Sequence, residues 1–92
     1  MIQSLNAQTH AWLKVFAVSA RHLSFTRAAE ELHVTTGAVS QQIKQLEERL
    51  GFRLFRRLPR QLALTEEGER LAQVVAQAYD AVGLEVDRLR GG

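Results

Sequence analysis

The sequence contains no cysteine, so neither a disulfide nor a thiolate-held metal is available and stability must come from packed side chains. No apolar run approaches the roughly 18 residues that a membrane span needs. Nor does a basic start followed by an apolar block mark a secretory leader. Cytosolic residence without membrane association is expected. The single proline, Pro59, interrupts any helix that would cross it. No nucleophile stands beside a paired base, and no glycine loop is spaced to cradle a phosphate. His10, His22 and His33 lie at dissimilar spacings in different elements, whereas zinc needs three or four convergent ligands. Enzymatic, cofactor-dependent and metal-binding functions are therefore not expected. With 92 residues, the chain is one small domain.

Acids are missing from two stretches. None occurs from Thr36 to Gln45, and none between Arg49 and Arg60, where Arg53, Arg56 and Arg57 also fall. Glu66, Glu67, Glu69, Asp80, Glu85 and Asp87 dominate the last third, so a net charge of only +2 hides a strong asymmetry. One end of the molecule attracts polyanions.

What is present centres on Ser24 to Gly51. Phe25, Ala28, Ala29 and Leu32 recur at i, i+3, i+4 and i+7, the stripe of a short helix that Ser24 caps. The chain turns through His33 and Val34, and Thr35 opens the next helix. That helix buries Val39, Ile43, Leu46 and Leu50 and closes at Gly51. Thr35, Thr36, Ser40, Gln41, Lys44 and Gln45 then face outward with donors and acceptors on short or medium stems. Base edges in a major groove call for such groups. A merely solvated face would mix Glu and Lys freely, yet acids return only at Glu47 and Glu48.

An earlier helix, capped by Asn6 or, preferably, Thr9, carries Leu13, Phe16, Ala17 and Ala20 with Trp12 beside them and packs across the other two. After Gly51, Leu54 with Arg56 and Leu62 with Leu64 alternate at period two, which predicts a two-stranded wing with Leu58 to Gln61 at its tip. Phe52 and Phe55 are expected in the core, and Arg57 and Arg60 flank the tip, placed to reach phosphate or a narrow minor groove or else simply solvated. Thr65 opens the last helix, with Glu66 and Glu67 where its dipole favours carboxylates. Ala72, Val75, Tyr79, Val82, Val86 and Leu89 follow at alternating spacings of three and four, a seam for a partner helix.

Taken together, SFTRAAEELHVTTGAVSQQIKQLEERLGFRLFRR and LALTEEGERL resemble the N-terminal winged helix-turn-helix domain of LysR-type transcriptional regulators. The resemblance runs from about Trp12 onward and is carried by the paired alanines, Ser40, Leu46-Glu47-Glu48, Gly51, Leu54-Phe55 and the segment from Leu64 to Gly68. Thr35-Thr36-Gly37 stands where that family often has Ser-Gln-Pro or Ser-Gln-Ser, and Gln41 where it often has Arg.

The expectation is thus a mainly α fold, a winged helix-turn-helix three-helix domain over 9–65 and a linker or dimerisation helix over 66–90. A flexible start over 1–8 and a hinge or chain end at 91–92 complete it. Thr36, Ser40, Gln41 and Gln45 are assigned to base reading. Ser24, Thr26, Arg27, Thr35, Lys44, Arg57 and Arg60 are assigned to the DNA backbone or minor groove, Thr35 being equally a cap. Val75, Tyr79, Val82, Val86 and Leu89 are assigned to a homodimer seam. The resemblance implies that the wing arginine at Arg60 contacts DNA and that the target is an imperfect palindrome upstream of a promoter. It also implies an effector-binding domain beyond this chain. The competing reading is a helical protein-interaction module that carries arginines for solubility. Salt separates the two, because binding through lysine and arginine weakens steeply with ionic strength and a valine seam does not. Double-stranded DNA rather than RNA follows from a helix presented to a major groove without exposed stacking platforms.

Overall fold

A computed structural model describes residues 6–91. The order is α1 (Ala7–His22), α2 (Phe25–Leu32), α3 (Thr36–Leu50), β1 (Phe55–Leu58), β2 (Gln61–Leu64) and α4 (Glu66–Leu89). Most of the segment expected to be frayed, 1–8, lies outside the described residues, but Ala7 and Gln8 are helical. The preference for Thr9 as the first cap is corrected to Asn6, whose Oδ1 accepts both the Thr9 N–H at 2.9 Å and the Thr9 hydroxyl at 3.0 Å. Thr9 is fully buried, and a cap three residues upstream satisfies both of its donors at once.

The predicted stripes of α2 and α3 point inward: Ala28, Ala29, Val39, Ile43 and Leu46 are buried with Phe16, while Phe25, Leu32 and Leu50 pack partly buried against them. On α1 the buried set also includes Val15, Val18 and Ser19. α1 meets α2 and α3 on one side and α4 on another, so a single stripe understates its core face. Two turns use left-handed residues that are not glycine, Leu23 at φ 49° and His33 at φ 59°. At the second, the Val34 N–H donates to Ala29 O at 3.0 Å and the His33 N–H to Glu30 O at 3.3 Å, which satisfies the last carbonyls of α2.

α3 closes as expected at Gly51, φ 88°, whose N–H donates to Glu47 O at 2.8 Å. Phe52 corrects the sequence reading: it is 39% exposed. The left-handed cap turns the chain away from the helix end, and the apolar cover comes from Leu54 and Phe55 instead, both buried. What holds that return is Glu47. Its carboxylate accepts the backbone N–H groups of Leu54 at 2.7 Å and Phe55 at 3.2 Å, with Arg53 Nε at 3.7 Å, and its side chain is only 11% exposed. Glu47→Ala leaves two buried amides without a partner, at a cost of about 1–3 kcal/mol. Urea unfolding is expected to show that loss with an unchanged m value, and Glu47→Gln, which keeps one acceptor, is expected to lose less.

β1 and β2 pair antiparallel from Phe55 with Leu64 to Leu58 with Gln61. Leu58 and Gln61 are thus the last pair, and the tip is narrowed to Pro59 and Arg60. Arg60 has φ 68°, the left-handed second position of a turn that proline opens, where glycine or asparagine is usual. Thr65 then caps α4: its hydroxyl accepts from the Gly68 N–H at 2.9 Å and donates to Arg53 O at 2.7 Å. The 24-residue α4 buries only Gly68 and Val75, with Leu71 and Ala72 partly covered by the core. Every residue from Ala76 to Gly91 is exposed.

Candidate nucleic-acid interface

The outward face of α3 is built as the sequence suggests. Thr35 caps it, its Oγ1 accepting the Ala38 N–H at 3.1 Å. That bond occupies one lone pair and leaves the hydroxyl hydrogen free to donate. Thr36, Gln41 and Lys44 are exposed, while Ser40 and Gln45 are half-buried. Gly37 lies among them, and a Cβ there would meet nothing within 4 Å. At the start of α2, Ser24 Oγ accepts the Arg27 N–H at 3.1 Å as the helix cap, and Thr26 and Arg27 are exposed.

The wing brings its two arginines to different places. Arg60 occupies the turn, whereas Arg57, opposite Leu62, is drawn back along the strand. Its Nη2 donates to Ser40 Oγ at 2.9 Å, and its guanidinium lies 5.3 Å from the centre of the Phe25 ring. Phe25 stands edge-on to Phe55 at 5.2 Å, and Phe55 to Phe16 at 5.6 Å. A file of aromatic rings therefore runs from the core to the guanidinium on the surface. This link joins residues 17 apart in sequence, and only the register of the hairpin, with its turn at Pro59 and Arg60, would have exposed it.

Charge around the face is sorted as well as sparse. Lys44 and Arg57 border a groove shared with the exposed Phe52 and Arg53 and with the carboxylates Glu47 and Glu48. Glu31, at the other end of the helix pair, is engaged by His22 and Arg21 of α1, and hydrogen bonds from these two hold its carboxyl below the usual carboxylate range. Glu47 is turned toward the wing root. Both carboxylates are engaged within the protein, whereas Glu48, past the acid-free stretch of the helix, is exposed in the same groove as Lys44.

Three short helices with a tight turn before the third, followed by a two-stranded wing folded beside it, define a winged helix-turn-helix domain with a polar, acid-free recognition face. Residues 10–69 match the family described as bacterial regulatory helix-turn-helix protein, lysR family. The chain belongs to that family. It is 58% identical over 80 residues to the HTH-type transcriptional activator AmpR of Pseudomonas aeruginosa, covering 87% of this chain and 27% of that protein. Its fold is similar to that of the BenM DNA-binding domain in a crystal structure with benA site 1 DNA, with a TM-score of 0.78 and 31% identity over 87% of this chain and 90% of that one. It is likewise similar to the CbnR DNA-binding domain in complex with DNA, with a TM-score of 0.73 and 30% identity over 88% of this chain and 93% of that one. Such relatives are named as transcriptional regulators and not as enzymes, in keeping with the sequence reading. The chain spans about a quarter of the length of AmpR, at 27%.

Proposed function

We propose that this chain binds double-stranded DNA sequence-specifically as a two-fold dimer, with α3 in the major groove and the wing at the adjacent minor groove. The observation that carries the reading is the exposed, acid-free N-terminal half of α3, set beside arginines of the wing. The likeness to DNA-binding domains solved on DNA supports it. Thr36, Ser40, Gln41 and Gln45 read bases. Ser24, Thr26, Arg27, Thr35, Lys44 and Arg60 hold the backbone or minor groove, whereas Arg57, assigned there by the sequence, is drawn back to Ser40. Tyr79, Val82, Val86 and Leu89 pair with a second copy, beyond Val75, which the chain itself buries. Two recognition helices related by such a pairing face the duplex about one helical turn apart, ~34 Å, and read the halves of an inverted repeat. In a regulator as long as AmpR the remaining length would hold an effector-binding domain, and the cytoplasm, where a bacterial chromosome lies, is its place of action.

Selection from a random DNA pool gives the preferred duplex and tests its symmetry. On that duplex Gln41→Ala is expected to cost about 1–3 kcal/mol, and little on a scrambled duplex at the same salt, because an amide pairs with a base edge rather than with charge. Equal losses on both duplexes would move Gln41 to the backbone contacts, and a parent chain with no preference between them would sink the proposal.

A further inference from the structure

Ser40 lies midway along the recognition face, and its Oγ accepts a hydrogen bond from Arg57 Nη2 at 2.9 Å. The guanidinium carbon sits 5.3 Å from the centre of the Phe25 ring, inside the roughly 6 Å range of cation–π attraction. Phe25 is in turn braced edge-on by the buried Phe55. Arg57 is therefore held by a hydroxyl and by an aromatic face before any ligand arrives. A serine hydroxyl has one hydrogen and two lone pairs. With a cationic donor on one lone pair, the other lone pair is a weaker acceptor and the hydrogen, pointing away from the guanidinium, a stronger donor, and among the described residues that hydrogen has no protein acceptor of its own.

We propose that Arg57 acts through Ser40, fixing its hydroxyl as a hydrogen-bond donor toward the duplex. Ser40 then selects a base edge that presents an acceptor, such as N7 or O6 of guanine or O4 of thymine, over the amino group of cytosine. The inference rests on α3 lying in the major groove as proposed above. A serine without such a neighbour serves donors and acceptors alike, so Arg57 narrows what this position accepts. Arg57 is a positioning residue in this account, and its contribution is to sequence preference more than to attraction.

The test is a double-mutant cycle with the 92-residue chain on the selected duplex and its single-base variants at fixed salt. Ser40→Ala is expected to reduce the preference at one base pair by up to about tenfold, the order of one hydrogen bond to a base edge. Arg57→Met, which keeps apolar cover on Phe25, is expected to reduce the preference at the same pair by a similar factor, and the double variant by no more than either alone. Arg57→Gln, which retains an amide donor, is expected to keep part of the preference and serves should the methionine variant melt early. Two results overturn the inference: losses that multiply, or an Arg57→Met variant that weakens every duplex alike, with a shallower salt dependence, while the preference stays intact. The latter marks a phosphate contact. A parent without any preference overturns the DNA reading itself, whereas a discriminating parent with a silent Ser40→Ala overturns this inference alone.

Discussion

Replacing Gly68 by alanine is expected to lower the melting temperature of the chain by about 8 °C or more, the largest stability loss foreseen for any single methyl group in this fold. A Cβ at that position falls 2.1 Å from Leu54 O and 3.0 Å from Leu54 C, distances at which something must move. The third neighbour, a Leu64 methyl at 3.1 Å, can rotate aside, but the Leu54 carbonyl cannot. It accepts the Thr65 N–H at 3.0 Å, and the N–H of the same residue is held by Glu47. Alanine gains at most about 1 kcal/mol over glycine in helix propensity, whereas forcing two backbones apart costs about 3 kcal/mol, the upper end of overpacking penalties. At about 4 °C or more per kcal/mol for a domain of this size, the net effect is a large fall in melting temperature. Gly83→Ala, in the same helix with nothing within 4 Å of the added atom, is the control and is expected to melt at or above the parent temperature. Scanning calorimetry of the three proteins decides the matter; a Gly68→Ala melt within a degree or two of the parent would show that α4 and the wing root separate freely.

Val82→Asp is expected to raise the dimer dissociation constant about 100-fold or more while leaving the monomer's helix content intact. Val82 is 61% exposed within one chain and Leu89 79%, on a helix that is exposed at every residue from Ala76 to its end at Leu89. A two-fold seam brings the substituted residue in twice, and burying carboxylates without partners costs several kcal/mol, about 1.4 kcal/mol being a factor of ten. Because the site lies far from the core residues, unfolding and self-association separate cleanly. Sedimentation velocity over a range of concentrations reads the second, and an association constant equal to the parent's would take dimerisation away from this face of α4.

The helices were legible because their apolar residues keep helical spacing and their caps are spelled in the usual residues: Ser24, Thr35 and Thr65 each accept the N–H three positions on. The first cap was misjudged because Asn6 and Thr9 are both capping types three apart, and only burial of Thr9 separates them. Phe52 was misjudged because composition does not reveal which aromatic follows a left-handed reversal outward. Nothing in the sequence marks Glu47 for a structural role, since a carboxylate seven residues from the amide it accepts leaves no periodic trace. The same holds for Arg57 and Ser40, whose meeting depends on a hairpin register that proline at the turn sets. The polar face of α3 was legible as a surface, and its chemistry at Ser40 was not.

The anchoring of the wing has a further consequence. Glu47 grips the start of β1 and Arg57 reaches back to Ser40, so the hairpin is tied to the reading helix at its root and its middle, while Thr65 clasps Arg53 O and closes the hairpin's exit onto its entrance. With those three ties the helix and the wing form a caliper of set opening. Under the proposed docking, accommodation then falls to the duplex: a site whose minor groove is already narrow where Arg60 enters fits without cost, and a wide one must be deformed to the caliper's gauge, at a cost that rises with its stiffness. Bases that no side chain touches would thereby influence affinity through their stiffness.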